Sequence, residues 1–139
     1  MFHRTLRQSK SLLFGTLILL LPALVLGMRS AAADMELLMV EQSACEWCET
    51  WDAEIGGVYA RTEEGKRAPL RRQDLFGSWP DDIAIKGQVH FTPTFILLRE
   101  GREVGRIEGY PGEHFFWPML TQLLNRTSRD DAVSKGDGS

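Results

Sequence analysis

Cys45 and Cys48 are the only cysteines in the chain, and Glu46 and Trp47 separate them. Thiols at this spacing can exchange a disulfide, or supply two ligands to a soft metal ion. A bridge closing so small a loop removes little entropy from the unfolded chain, so a structural staple is a poor use for the pair. Cycling between dithiol and disulfide is the chemistry the spacing favours, and it requires no dissociable cofactor. A zinc site needs about four ligands, and only His90 and His114 remain to complete a Cys/His set. No metal site is expected among them, although a zinc or copper(I) chaperone stays the alternative use of the two thiols.

Placement decides which cysteine reacts. Glu36 to Gln42 is a short apolar run that suits a buried parallel strand. Ser43-Ala44-Cys45-Glu46 then matches the Ser-x-x-Glu capping box, which predicts a helix starting at Ser43. Trp47, Trp51 and Ile55 follow at spacing four and define one helical face. A helix N-terminus carries unpaired N–H groups and a partial positive charge, and both favour a thiolate. Cys45, at the open end, is the expected nucleophile. Cys48, three residues on and on the same face, is the expected resolving thiol. Glu46 and Glu49 add negative charge beside the sulfurs and oppose the thiolate, which leans the pair towards a reductant or isomerase over a strong oxidant.

The remaining elements complete a mixed sheet. Gly56-Gly57 weakens the first helix, and Thr62 to Arg67 reads as a polar loop. Ala68 to Leu75 is a weak strand. Phe76 to Asp82 forms a turn into a short helix, Asp81 to Lys86. Val89 to Leu98 is the strongest strand signal, with Pro93 placing the strand proper at Thr94 to Leu98. Glu100-Gly101-Arg102 is a hairpin turn, and Glu103 to Glu108 alternates charged and apolar residues as a strand with one solvated face. After the turn Gly109 to Gly112, Phe115, Phe116, Met119, Leu120, Leu123 and Leu124 share one helical stripe. Pro118 predicts that this helix starts late, near Trp117, or is kinked. From Arg126 onward the polar composition predicts a disordered tail, residues 126–139. The order strand–helix–strand–helix, then strand–strand–helix, is an α/β architecture, a mixed central sheet of about four strands flanked by helices, over residues 34–125.

Residues 1–33 read differently. Arg4, Arg7 and Lys10 precede an uncharged, Leu-rich run from Ser11 to Met28, and Ala31-Ala32-Ala33 follows. These are the three parts of a secretory signal, with cleavage expected after Ala33. An uncleaved inner-membrane anchor is the alternative, and either reading places the rest of the chain outside the cytoplasmic membrane. Beyond Ala33 all 19 acids remain but only 12 of the 16 bases, a net charge of −7. That balance argues against a nucleic-acid partner.

Taken together, Cys45-Glu46-Trp47-Cys48 after the first strand and Thr92-Pro93-Thr94-Phe95 before the third resemble the thioredoxin superfamily, over about residues 35–125. The resemblance implies a redox-active Cys45–Cys48 disulfide and a cis Pro93 facing it. It also implies that the Thr92 backbone pairs with a bound substrate strand, and that Trp47 adds contact surface. The family's buried Asp, six residues before the first Cys, is here Met39. Glu41, two residues on and on the same side of the strand, is the candidate base in its place. The signal segment, Phe91 to Phe95, and Gly109 to Gly112 leading into Phe115-Phe116-Trp117 are similar to the small periplasmic thioredoxins of bacterial sulfur-oxidation systems. That narrower likeness implies a periplasmic protein thiol as substrate, in that system the sulfur-carrier protein, and a membrane thiol transporter as electron donor.

Overall fold

The computed structural model of the protein describes residues 35–136, and side chains up to Asp130; the signal or anchor expected over residues 1–33 lies outside the described residues. Four strands form one sheet in the order β2-β1-β3-β4. They are β1 (Met35–Glu41), β2 (Leu70–Asp74), β3 (Thr94–Arg99) and β4 (Arg102–Glu108). β1 runs parallel to β2 and antiparallel to β3, and β3 pairs antiparallel with β4. This is the mixed sheet expected from the order of elements.

Leu37, Leu38, Met39 and Val40 in β1 are all fully buried, because both faces of the sheet are covered. Leu37 and Met39 face the helices, in one core with Trp51, Phe95, Phe116 and Leu120. Leu38 and Val40 join Ile96 and Leu98 on the other face. That second face is covered by irregular chain rather than the short helix expected over Asp81 to Lys86. The backbone there is committed to β4 and its hairpin. Ala84 N–H donates to the Gly101 carbonyl at 2.8 Å, and Glu103 N–H to the Ala84 carbonyl at 2.9 Å. Leu75, Trp79, Ile83, Ile85 and Val89 supply the apolar cover without helical periodicity.

The first helix begins later than the capping box implied. α1 spans Glu46–Trp51, and Cys45, not Ser43, is its N-cap. Ser43 and Ala44 make a turn instead, with Ala44 in the left-handed region at φ 58°. The helix continues through a π-helical turn, Asp52–Gly56, into α2, Gly57–Tyr59. Trp51 and Ile55 are buried as their spacing predicted, but Trp47 is 57% exposed. Thr62 to Arg67, expected as a loop, contains a helix, α3 (Glu63–Arg67). The Thr62 hydroxyl accepts from Gly65 N–H at 3.0 Å. Acids in its first turn and bases in its last complement the helix dipole.

Strict alternation fails in β4. A register shift between Leu97 and Leu98 pairs Leu97 with Gly105 and Leu98 with Glu103. The shift turns Glu103 and Arg106 to the same face, so Glu103 is buried rather than solvated. Both its oxygens accept from Arg106, at 2.6 and 2.7 Å.

α4 spans Glu113–Gly136. It starts before Pro118 rather than near Trp117, because Phe116 N–H already bonds the Gly112 carbonyl at 3.0 Å and Pro118 then interrupts only one early turn. Phe116, Leu120, Leu123 and Leu124 are buried, whereas Phe115 and Met119 are exposed. The stretch from Arg126, expected to be disordered, is helical through Gly136. Arg99 donates to the Thr127 carbonyl at 2.9 Å, and Arg67 to the side chains of Asn125 and Ser128 at 3.1 and 3.2 Å. These ties dock a polar helix that composition alone did not mark as packed.

Candidate active site

Cys45 and Cys48 form a disulfide at the point where β1 hands over to α1. Cys45 has extended backbone, φ −90° and ψ 97°, and its Sγ accepts from Cys48 N–H at 3.2 Å. One of the orphan N–H groups of the helix start therefore points at the outer sulfur, as a thiolate at that position needs. Cys45 is 7% exposed and Cys48 4%. The two sulfurs share a core with Met39, on the β1 face that the missing family Asp would occupy.

The loop before β3 carries the proline. The Thr92–Pro93 peptide is cis, and Pro93 is buried. Thr94 is fully buried and its hydroxyl donates to the Phe91 carbonyl at 2.7 Å, which holds the Phe91-Thr92-Pro93 turn. Gly109 N–H, at φ 79°, donates to the Pro93 carbonyl at 2.8 Å. The Thr92 backbone N–H and carbonyl have no partner among the described residues. They form a free edge that an extended chain can pair with.

An open groove of about 510 Å³ joins these parts. Trp47 and Phe91, 57% and 62% exposed, flank it. Thr92 and Gly109 supply backbone, and Tyr110 and Pro111 continue the wall. The groove brings Trp47 and Thr92 together, and along the chain Trp47 lies between Cys45 and Cys48 while Thr92 adjoins Pro93. Two groove residues escaped sequence reasoning. Phe91 and Tyr110 entered the sequence reading only inside the motifs of the family resemblance, with no contact role of their own. The Tyr110 phenol donates to Glu54 Oε2 at 2.5 Å, which ties the groove wall to the π-helical turn behind the cysteines. Burial first, then Glu54 and Glu113, push that phenol above its ordinary range.

Glu41, the candidate base, ends β1. Its Oε2 accepts from Arg72 Nη1 at 2.6 Å, and the same guanidinium pairs with Asp52 and lies 5.8 Å over the Trp51 ring. Trp51 is core, packed against Tyr59, Phe95 and Phe116. Among the described residues no group of three or more His, Cys, Asp and Glu side chains converges as a metal site.

No protein-family model and no curated sequence matches the chain. Solved structures similar to the chain include two thioredoxins. The periplasmic thioredoxin SoxS from Paracoccus pantotrophus, in its reduced form, shares 46% identity at a TM-score of 0.65, over 67% of this chain and 98% of that one. A thioredoxin from Malassezia sympodialis, Mala s 13, shares 16% identity at a TM-score of 0.45, over 67% of this chain and 77% of that one. With a Cys45–Cys48 disulfide, a cis Thr92–Pro93 bond, and 46% identity to SoxS over 98% of its length, the chain belongs to the thioredoxin superfamily, in the family of SoxS, and is a thiol–disulfide oxidoreductase.

Proposed function

We propose that this chain works outside the cytoplasmic membrane and reduces or reactivates a cysteine of a protein partner. The observation that carries the reading is the unpaired Thr92 backbone at the edge of the groove beside the disulfide. A partner strand pairs there while its sulfur reaches Cys45. Trp47 offers its exposed ring as further contact surface, and buried Pro93 holds the Thr92 edge in place.

In the reduced protein the Cys45 thiolate attacks the nearer sulfur of a partner disulfide or persulfide. The bond between the partner's sulfurs breaks, the far sulfur leaves as a thiolate from a disulfide or as hydrosulfide from a persulfide, and a mixed disulfide remains. Cys48, deprotonated, then attacks Cys45 Sγ. The partner leaves as a thiol, two electrons richer, and the Cys45–Cys48 disulfide is restored. Glu41 is the proton acceptor for Cys48 in this scheme, through the carboxylate oxygen that Arg72 does not take. A membrane thiol donor returns the two electrons.

Likeness to a periplasmic thioredoxin at 46% identity, together with the leader-like composition of residues 1–33, supports an exported location. It also favours the sulfur-carrier protein of a sulfur-oxidation system as the partner. A Cys48→Ser variant incubated with a periplasmic extract should accumulate a dithiothreitol-reversible adduct through Cys45. A Cys45→Ser variant should accumulate none. Equal adduct with both variants, or none with either, would sink the two-step scheme.

A further inference from the structure

The groove is apolar along its length, and carboxylates recur in the segments that form it. Among the described residues, Glu108 is the one charged residue that lines it. Glu46 and Glu49, both exposed, occupy the first turn of α1 on either side of Trp47. Glu113 opens α4 just past Pro111, and Glu54 holds the Tyr110 phenol. Glu46, Glu49 and Glu113 have no ion-pair partner among the described residues. The cation nearest the lining Glu108 carboxylate is chiefly engaged elsewhere. Arg106 reaches Glu108 only at 3.6 Å while it makes two short bonds to Glu103. Lys86, exposed and five residues before Phe91, bonds Glu103 at 2.6 Å through its backbone N–H, and its ammonium makes no ion pair with a described residue.

Resting on the oxidoreductase reading above, we infer that the partner segment received by this groove is extended and cationic, with Lys or Arg flanking its reactive cysteine. The occupant is a protein segment of that chemistry. An apolar floor with an acidic rim lets an apolar side chain sit between Trp47 and Phe91 while flanking cations stay in water near the carboxylates. A rim of this kind acts mainly on encounter rate. It attracts cationic segments, repels anionic ones, and weakens as salt screens it. The net charge of −7 beyond Ala33 adds to the same field at longer range.

Two disulfide-linked probe peptides, identical except for Lys or Glu on both sides of the cysteine, test this. The readout is the second-order rate of exchange with the dithiothreitol-reduced, desalted protein. The Lys probe should react about tenfold faster at low ionic strength, and the two rates should converge as the Debye length falls to about 3 Å near 1 M salt. Because the comparison is a ratio, a shift in Cys45 reactivity cancels. The triple variant Glu46→Gln/Glu49→Gln/Glu113→Gln should lower the low-salt ratio towards one. Equal rates at low salt, a faster Glu probe, or a ratio untouched by salt would overturn the charge inference and leave the oxidoreductase reading standing. Failure of both probes to exchange would overturn the reading on which it rests.

Discussion

At the residue scale, the reactive sulfur owes its position to a strained neighbour. Ala44 has φ 58°, a conformation that costs an L-residue with a Cβ roughly 1–2 kcal/mol. The strain lets the chain leave β1 and turn so that Cys45 caps α1 with its own sulfur. Glycine would take that conformation freely, at an entropic cost of about 0.5–1 kcal/mol in the unfolded chain. Ala44→Gly should therefore stabilise the oxidised protein by about 0.5 kcal/mol in urea unfolding; a clear loss of stability would show that Ala44 is not strained. The cysteine pair, Pro93 and Thr92 were legible as chemistry because their types and spacing are informative by themselves. The cap was not. Ser43 has the better capping side chain, and only the left-handed turn at Ala44 moves the helix start two residues on.

Among the elements, β4 holds the segment that leads to the groove. Glu103 and Arg106 face one way because of the register shift, and Arg106 also donates to the carbonyls of Lys86 and Gln88 at 2.9 and 3.1 Å. Glu103 N–H, and its carboxylate through Lys86 N–H, complete the clamp. Burial works against the Glu103 charge, but the Arg106 hydrogen bonds and the Lys86 N–H outweigh it and hold the carboxyl below its ordinary value of 4.5. The sign follows. A carboxyl whose folded pKa is depressed stabilises the fold above its unfolded pKa, and that contribution fades as pH falls through the folded one. Unfolding free energy should therefore drop below about pH 4.5 in the natural chain, and Glu103→Gln should be less stable at pH 7 by about 2–3 kcal/mol with a flatter acid limb. An acid limb of unchanged slope in the variant would remove Glu103 from this account. Period-two alternation predicted a solvated Glu103, and one inserted residue reversed it.

For the whole molecule, the balance between dithiol and disulfide sets the direction of electron flow. The helix start favours the Cys45 thiolate, and Glu46 and Glu49 oppose it. The Cys45–Cys48 couple should therefore equilibrate at about −200 mV or lower in glutathione and dithiothreitol buffers, on the reductase side. A value near about −120 mV would turn the proposal into disulfide formation. By itself the sequence determined the succession of strands along the chain, the redox pair and the proline loop. Each of these is written in local residue type and spacing. Only the tertiary structure decided the rest. Chain that pairs with β4 covers the second sheet face without a helix, α3 forms where composition looked like loop, and α4 extends past Arg126 on ties from Arg67 and Arg99. The groove of Trp47, Phe91 and Tyr110 belongs to the same group. Its parts come from three separate segments, and no local pattern encodes the contacts that bring them together.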